Sequence, residues 1–345
     1  MKHTKGDLKQ MQSLPLSAKI LMTKRRIREW YEYFEGDVYV AFSGGKDSTV
    51  LLHMARELYP DIEAVFVNTG LEYPEIQKFV KTFDNVTILR PEMRFDEVIK
   101  TYGYPIISKA VSNCVWGARR VPDGTKYKQL CGTYETNGEL SVFNYGKYKP
   151  LLDMDCKISD RCCAVMKKRP MKKFQHESGK KPIVAMMATE GAQREMSWLR
   201  NGCNAFDSES PISKPMSFWT EQDVLQYIKD NNIPIASVYG DVVYAEDEKQ
   251  IRIEDFGIEG CGTEKLKTTG CDRTGCVFCA YGCHLEKSPS RFERLKETHP
   301  RQYEYCIGGG EYDESGMWQP NKEGLGMGHI FDELNKIYGE GFIKY

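Results

Sequence analysis

Two stretches of this sequence hold residues whose types and spacing could do chemistry. The first is SGGKDST, Ser43–Thr49, which follows the apolar run VYVAF. Gly44 and Gly45 let backbone N–H groups turn toward an anion, and a helix starting behind them would add the partial positive charge of its N-terminus. Ser43, Ser48 and Thr49 offer hydroxyls, and Lys46 a point charge. The stretch departs from the Walker pattern: Val40 stands where its first glycine would fall, and Asp47 follows Lys46 in place of Ser or Thr. Phosphate binding is expected here, and the question is which phosphate.

The second stretch is GCDRTGCVFCAYGC, with Cys271, Cys276, Cys279 and Cys283 spaced C-x4-C-x2-C-x3-C. Two thiolates separated by two residues can converge on one metal centre, and Cys271 adds a third from the preceding turn. Iron–sulfur ligation and structural zinc both fit that spacing. Upstream, RCCAVMKKRP places Cys162 and Cys163 side by side, followed by lysines. Cys114, Cys131, Cys156, Cys203, Cys261 and Cys306 are scattered and are expected to be small buried hydrophobes.

These stretches need elements to position them. The spacing predicts strands over Val38–Phe42, Ile62–Val67 and Val86–Leu89, alternating with helices over Ser48–Leu58, Pro74–Thr82 and Phe95–Tyr102. Such a rhythm predicts an α/β fold with a doubly wound, mostly parallel sheet, whose ligands sit at the carboxyl ends of the strands. Residues 15–34 read as a helix with Ile20, Leu21, Ile27, Trp30, Tyr31 and Phe34 on its apolar face. Residues 103–160 read as an irregular or partly helical insertion, 180–188 as another buried strand, and 217–234 as a helix capped by Thr220. RFERLKETHPRQYEY, 291–305, reads as a packed helix stopping at Pro300. The expected organisation is a helical segment over 1–36, a nucleotide-binding α/β domain over 37–235, and a cysteine-rich cofactor and helical segment over 236–345.

Net charge is −1, so attraction to nucleic acid must come from local patches. Residues 167–181 are such a patch, with Lys167, Lys168, Arg169, Lys172, Lys173, Lys180 and Lys181 against Glu177. The first twenty residues hold no apolar leader, and no stretch approaches a membrane span. A cytoplasmic setting without membrane contact is the expectation, where clustered cysteines serve metal or sulfur chemistry.

SGGKDS after a strand resembles the signature of the PP-loop ATP pyrophosphatases. The resemblance implies a loop that holds pyrophosphate while chemistry occurs at the α-phosphorus, with Lys46, Asp47 and Ser48 as catalytic residues and Mg²⁺ bridging phosphate oxygens of ATP. VNTGLEYPE (67–75) is similar to the DTG-E-PE segment of the PAPS-reductase branch, with Asn68 in place of a common aspartate. It implies nucleotide contacts by Thr69, Gly70 and Glu72. ATEGAQR (188–194) resembles that branch's second nucleotide motif and implies the same for Glu190 and Arg194, with Gly191 replacing a usual serine. KPMSFWTEQDVLQYI resembles its P-x-x-x-W-T-x-x-D-V-x-x-Y-I helix. The likeness spans residues 15–310 or so and implies the Rossmann-like fold of adenine nucleotide α-hydrolases.

RCCAVMKKRP also resembles the CC…K…P segment of APS reductases, in which paired cysteines and a distant C-x-x-C hold a [4Fe–4S] cluster. Carried over, the resemblance implies ligation by Cys163, Cys276 and Cys279. Cys271 is the expected fourth ligand, with Cys162 and Cys283 as further candidates and Zn²⁺ as the alternative metal. Sulfonucleotide reductases use a cysteine in a C-terminal E-C-G-[IL]-H segment; here GCHLE (282–286) echoes it beside the cysteine run, and no cysteine follows Cys306. The expectation is therefore sulfur insertion, as in tRNA-thiolating PP-loop proteins or the ATP-pyrophosphatase component of DNA phosphorothioation. A cysteine desulfurase or other sulfur donor would be the partner, and the acceptor could be nucleic acid bound by 167–181. Sulfonucleotide reduction and a nucleotide sensor without turnover are the alternatives.

Overall fold

The computed structural model describes residues 2–245 and 265–345. They form two compact units that share the chain discontinuously. The sheet unit draws on Met1–Asn68, Glu72–Leu89 and Lys172–Thr274; the helical unit draws on Thr69–Leu71, Arg90–Met171 and Gly275–Tyr345.

Among the described residues, the main sheet of this unit has six strands: β1 (Val38–Ala41), β2 (Ala64–Val67), β3 (Val86–Leu89), β4 (Lys181–Val184), β5 (Asn204–Ala205) and β6 (Ile212–Ser213). Their spatial order is β3–β2–β1–β4–β6–β5, parallel except for β5 at the edge. The first three strands build outward to one side and β4 returns to the other side of β1, with Val38 opposite Lys181. The order therefore reverses between β1 and β4, which is where open α/β sheets bind their ligands. β1 and β2 read as apolar runs because a central parallel strand is buried on both faces.

Helix α1 (Leu16–Tyr33), helix α2 (Lys46–Leu58) and helix α3 (Pro74–Val80) surround the first three strands, followed by α4 (Ala192–Asn201) and α5 (Glu221–Asp230). Trp30, Val40, Leu51, Met54, Ile183, Phe218 and Trp219 are fully enclosed in one core. The expected apolar face of α1 needs correction. Leu21 is 70% exposed, while Lys19 and Thr23 are buried with Ile27 and Trp30. Positions 19, 23, 27 and 30 share one helical face, and Leu21 points away from it. The two buried polar groups have partners. Thr23 Oγ1 accepts from the Trp219 indole at 2.8 Å, and Lys19 Nζ lies 2.7 and 2.9 Å from the two Asp223 oxygens. Asp223 also completes the capping box with Thr220 at the start of α5.

Lys19→Ala would leave that carboxylate in the core without its cation. Losing one member of a buried pair costs about 3 kcal/mol or more, and denaturant unfolding of the variant at neutral pH should show a loss of that size.

The helical unit contains helices over Phe95–Tyr102, Lys109–Ala118, Thr125–Cys131, Arg291–Thr298, Pro300–Ile307 and Met327–Tyr338. Residues 103–160 thus include two helices, a small hairpin (135–140) and the 3-10 turn Gly146–Leu152. Arg119 organises this region by donating to the carbonyls of Leu151, Leu152, Met154 and Cys156. The helix from Arg291 stops before Pro300 as expected, at Thr298, but 291–305 is not one helix: Pro300 opens a second one, at the first-turn position where a missing N–H costs nothing. A two-residue parallel pair, Ile106–Ile107 with Ala280–Tyr281, fixes the end of the C-x-x-C segment.

Among the described residues, no helix is long and apolar enough to cross a membrane.

Candidate functional site

In the sheet unit the chain leaves β1 and turns through Phe42–Gly45 into α2. Gly44 has φ +71°, and a Cβ there would lie 2.7 Å from Val80 Cγ2 and 2.8 Å from Ile76 Cγ2. Both the backbone and α3 therefore demand glycine. Gly44→Ala should cost more than about 2 kcal/mol, since left-handed backbone and overpacking act together; calorimetric unfolding without ligand would register it.

The loop is held by its own hydroxyls. Ser48 Oγ accepts from the Ser43 N–H at 3.1 Å, contacts Ser43 Oγ at 3.0 Å and donates to the Gly45 carbonyl at 2.9 Å. Thr49 Oγ1 donates to the same carbonyl at 3.0 Å. Lys46 is buried, and its Nζ donates to the Asp272 carbonyl at 2.7 Å and pairs with Glu221 at 3.0 Å. Its backbone N–H donates to Tyr239 Oη at 3.2 Å, which in turn meets Thr274 Oγ1 at 2.6 Å. The glycine loop is thus fastened to the strap Gly270–Thr274.

Above the carboxyl ends of β1 and β4 lies a cavity of about 330 Å³. One wall is Ser43, Gly45, Lys46, Asp47 and Ser48, another Val184–Met186, and a third Glu190, Arg194, Tyr239, Arg273 and Thr274. Glu190 receives the guanidiniums of both Arg194 and Arg273 and accepts the Met187 N–H at 3.1 Å. Asp47 Oδ1 is buried without a hydrogen-bond partner among the described residues. Burial pushes its carboxyl above the ordinary range, against the opposing charges of Lys46, Arg273 and Arg194. The cavity thus offers loop amides, hydroxyls and cations to a polyanion.

Of the residues expected to touch a nucleotide, Ser43, Gly45, Lys46, Asp47, Ser48, Glu190 and Arg194 line this cavity; Gly44 and Thr49 shape the loop. Glu72 is buried in the sheet unit but is not among the lining residues. Thr69 and Gly70 belong to the helical unit, where Thr69 Oγ1 accepts from the Leu71 N–H at 3.1 Å. Sequence reasoning missed Tyr239, Arg273 and Thr274. Arg273 carried the one available signal, a lone cation among the spaced cysteines.

In the helical unit Cys162, Cys163, Cys276 and Cys279 line one apolar cavity with Leu71, Phe95, Pro105 and Met166, and Lys167 borders it. The Cys162 thiol donates to Cys163 Sγ at 3.9 Å. That contact, with Lys109 and Lys167 nearby, pulls Cys163 below the ordinary thiol range, while Cys162 is raised by its donation and by burial. Burial also raises Cys279. None of the described cysteines forms a disulfide.

These four thiols suit a [4Fe–4S] cluster, in which each thiolate binds its own iron and the walls can be apolar. Among the described residues, no three His, Cys, Asp or Glu side chains are placed to share a single ion. The cavity groups Cys163, Cys276 and Cys279 of the expected set with Cys162, one of the two further candidates. Cys271 lies in the sheet unit, its N–H donating to the Val238 carbonyl at 2.9 Å. Cys283 is buried, donates to the Ala280 carbonyl at 3.0 Å, and is pushed up to about 12 by burial. Cys114, Cys156, Cys203 and Cys306 are buried as expected, Cys131 is half-buried, and Cys261 lies outside the described residues.

A parallel sheet with a reversal of strand order and a polar cavity over its carboxyl edge defines a doubly wound α/β protein. The family model of the phosphoadenosine phosphosulfate reductase domain matches residues 37–281, and the chain belongs to that family. It is 24% identical over 213 residues to an adenosine 5'-phosphosulfate reductase of Staphylococcus epidermidis, covering 60% of this chain and 68% of that one. It is also 24% identical over 205 residues to a phosphoadenosine 5'-phosphosulfate reductase of Gloeobacter violaceus, covering 58% and 65%. An uncharacterised protein of Methanocaldococcus jannaschii is 42% identical over 85 residues, 23% of this chain and 18% of its own.

Proposed function

We propose that this protein binds ATP or a related adenylyl nucleotide, cleaves it at the α-phosphate with release of pyrophosphate, and supports sulfur transfer to an acceptor. The cavity formed by the Ser43–Ser48 loop, Arg194 and Arg273 carries this reading, because it sets amides, hydroxyls and cations where a phosphate chain would lie. An acceptor oxygen would attack the α-phosphorus and the bond to pyrophosphate would break. Loop amides and Lys46, through the N–H not used on Asp272 and Glu221, would neutralise the departing charge. Mg²⁺ would suit the phosphate oxygens beside Asp47. Sulfide, released when a thiol reduces the persulfide of a donor such as a desulfurase and is itself oxidised to a disulfide, would then displace AMP from the acceptor. A [4Fe–4S] cluster on Cys162, Cys163, Cys276 and Cys279 would supply a soft, redox-active site for sulfur.

A nucleic-acid acceptor draws on fewer cations than the sequence offered. Lys180 pairs with Glu63 at 2.7 Å and Lys167 borders the cysteine cavity, while Lys168, Arg169, Lys172 and Lys173 are exposed. Exposed cations of this kind could neutralise phosphates, giving salt-dependent binding.

Sulfonucleotide reduction is the second reading, favoured by the names of the Staphylococcus and Gloeobacter relatives. The GCHLE segment is a poor source of its nucleophile, since Cys283 is buried and bonded to Ala280. Pyrophosphate release from ATP, measured with nucleic-acid and small-molecule acceptors, tests the first reading. Sulfite formation from adenosine phosphosulfates with thioredoxin, and no pyrophosphate with any acceptor, would establish the second in its place.

A further inference from the structure

Glu190 holds two guanidiniums at once, and they reach it from different parts of the chain. Arg194 lies one helical turn beyond Glu190, whereas Arg273 comes from the strap between Cys271 and Cys276. The Glu190 side chain is 11% exposed and needs one cation for neutrality, yet it receives two. Lys46, the other cation on this cavity, has a carboxylate of its own in Glu221. The second guanidinium therefore brings a charge that Glu190 does not balance, and the carboxyl left for it is Asp47, which borders the same cavity, attracts both arginines and hydrogen-bonds neither through its buried Oδ1 among the described residues.

The two arginines also disfavour each other. Burial lowers the basicity of Arg194, and the charge of Arg273 lowers it further. Both border the cavity of the Ser43–Ser48 loop, and Arg273 is 64% exposed, so its remaining donors can turn without unpacking the core. Two planar forks facing one cavity match the oxygens of a phosphate or sulfate group better than those of a single carboxylate.

We propose that Arg273 is an anion-binding residue: with Arg194 it exchanges Glu190 for the terminal phosphate or sulfate of an adenine nucleotide whose chain lies on the Ser43–Ser48 loop. This inference rests on the nucleotide reading above and adds to it a recognition residue delivered by the strap. Glu190 holds the two forks in place until the anion arrives. The strap enters the helical unit at Gly275, directly before Cys276, so the residue that reads the nucleotide and the first cysteine of the C-x-x-C pair share one short peptide.

The test is equilibrium titration calorimetry of the full chain with ATP, adenosine phosphosulfate and AMP, comparing wild type with Arg273→Ala and Arg273→Lys. Unfolding temperature and iron content serve as controls for fold and cysteine site. Arg273→Ala should weaken ATP or adenosine phosphosulfate by about 10- to 100-fold, as expected for hydrogen bonds to a charged group, and leave AMP unchanged. Arg273→Lys should fall between, because it keeps the charge and loses the fork. A loss confined to ATP identifies terminal phosphate as the ligand group, and one confined to adenosine phosphosulfate identifies sulfate. Equal affinity in wild type and Arg273→Ala would overturn the proposal while leaving the nucleotide reading intact. A uniform loss that includes AMP would overturn it in favour of a structural ion pair. Wild type binding none of the three would remove the nucleotide reading and the proposal together.

Discussion

Lys46→Met is expected to lower nucleotide turnover by about 10²- to 10³-fold, the usual cost of removing one preorganised charge from a transition state. The side chain is buried, and in the resting structure it serves the Asp272 carbonyl and Glu221. Two of its three N–H groups hold those partners and the third is left for a phosphate, so the same ammonium ties down the strap before the nucleotide arrives and stabilises charge afterwards. Two measurements separate these roles. Single-turnover pyrophosphate release reports on the charge, whereas protease sensitivity of the strap without nucleotide reports on the tether. Arginine at position 46 should restore part of the tether and little of the turnover, since its fork fits neither the burial nor the single carbonyl. Full cellular function in a Lys46→Met variant that has lost turnover would instead mark the protein as a nucleotide sensor.

The second large effect concerns metal. Anaerobically purified protein is expected to carry about four irons and four sulfides per chain, the content of one [4Fe–4S] cluster. Cys276→Ser and Cys163→Ser should each remove most of that iron and the visible absorbance that accompanies it. Two further variants discriminate between ligand sets. With Cys162 in the shared cavity, Cys162→Ser should lose iron and Cys271→Ser should keep it; the reverse result would restore Cys271 as the fourth ligand. Cys283→Ser should keep its iron, because that thiol is spent on the Ala280 carbonyl. Zinc in place of iron, with no sulfide, would remove the cluster and leave the nucleotide cavity standing.

Much of the sheet unit was legible before the structure. β1 and β2 announce themselves as short apolar runs, and helix α5 through Thr220 and Asp223, whose capping box the structure contains. Gly44 and the hydroxyls around it declare the loop because few other residues could make that turn. The partners of the loop were not legible for a reason of distance. Tyr239 lies 193 positions from Lys46 and Asp272 lies 226 positions away, and no periodicity links residues that meet only through the fold. Leu21 failed for a local reason, since a pattern that counts only hydrophobes admits an exposed leucine and passes over a buried, paired lysine such as Lys19. The cysteine grouping was half legible: the C-x-x-C pair is local, whereas the choice between Cys162 and Cys271 depends on packing.

The placing of β4 beside β1 matters on the ribosome. β1 acquires β2 and β3 early, but its other edge has no neighbour until Lys181–Val184 have been made. The intervening chain includes Arg90–Met171, which belongs to the other unit and cannot complete the sheet. At translation rates of about 5–20 residues per second, the nascent chain presents that open central edge for on the order of ten seconds. An unpaired, apolar parallel strand is a template for association with other chains. Yield of soluble protein should therefore respond to growth temperature and chaperone supply more strongly than the finished fold, with β1 closed on both sides, would suggest.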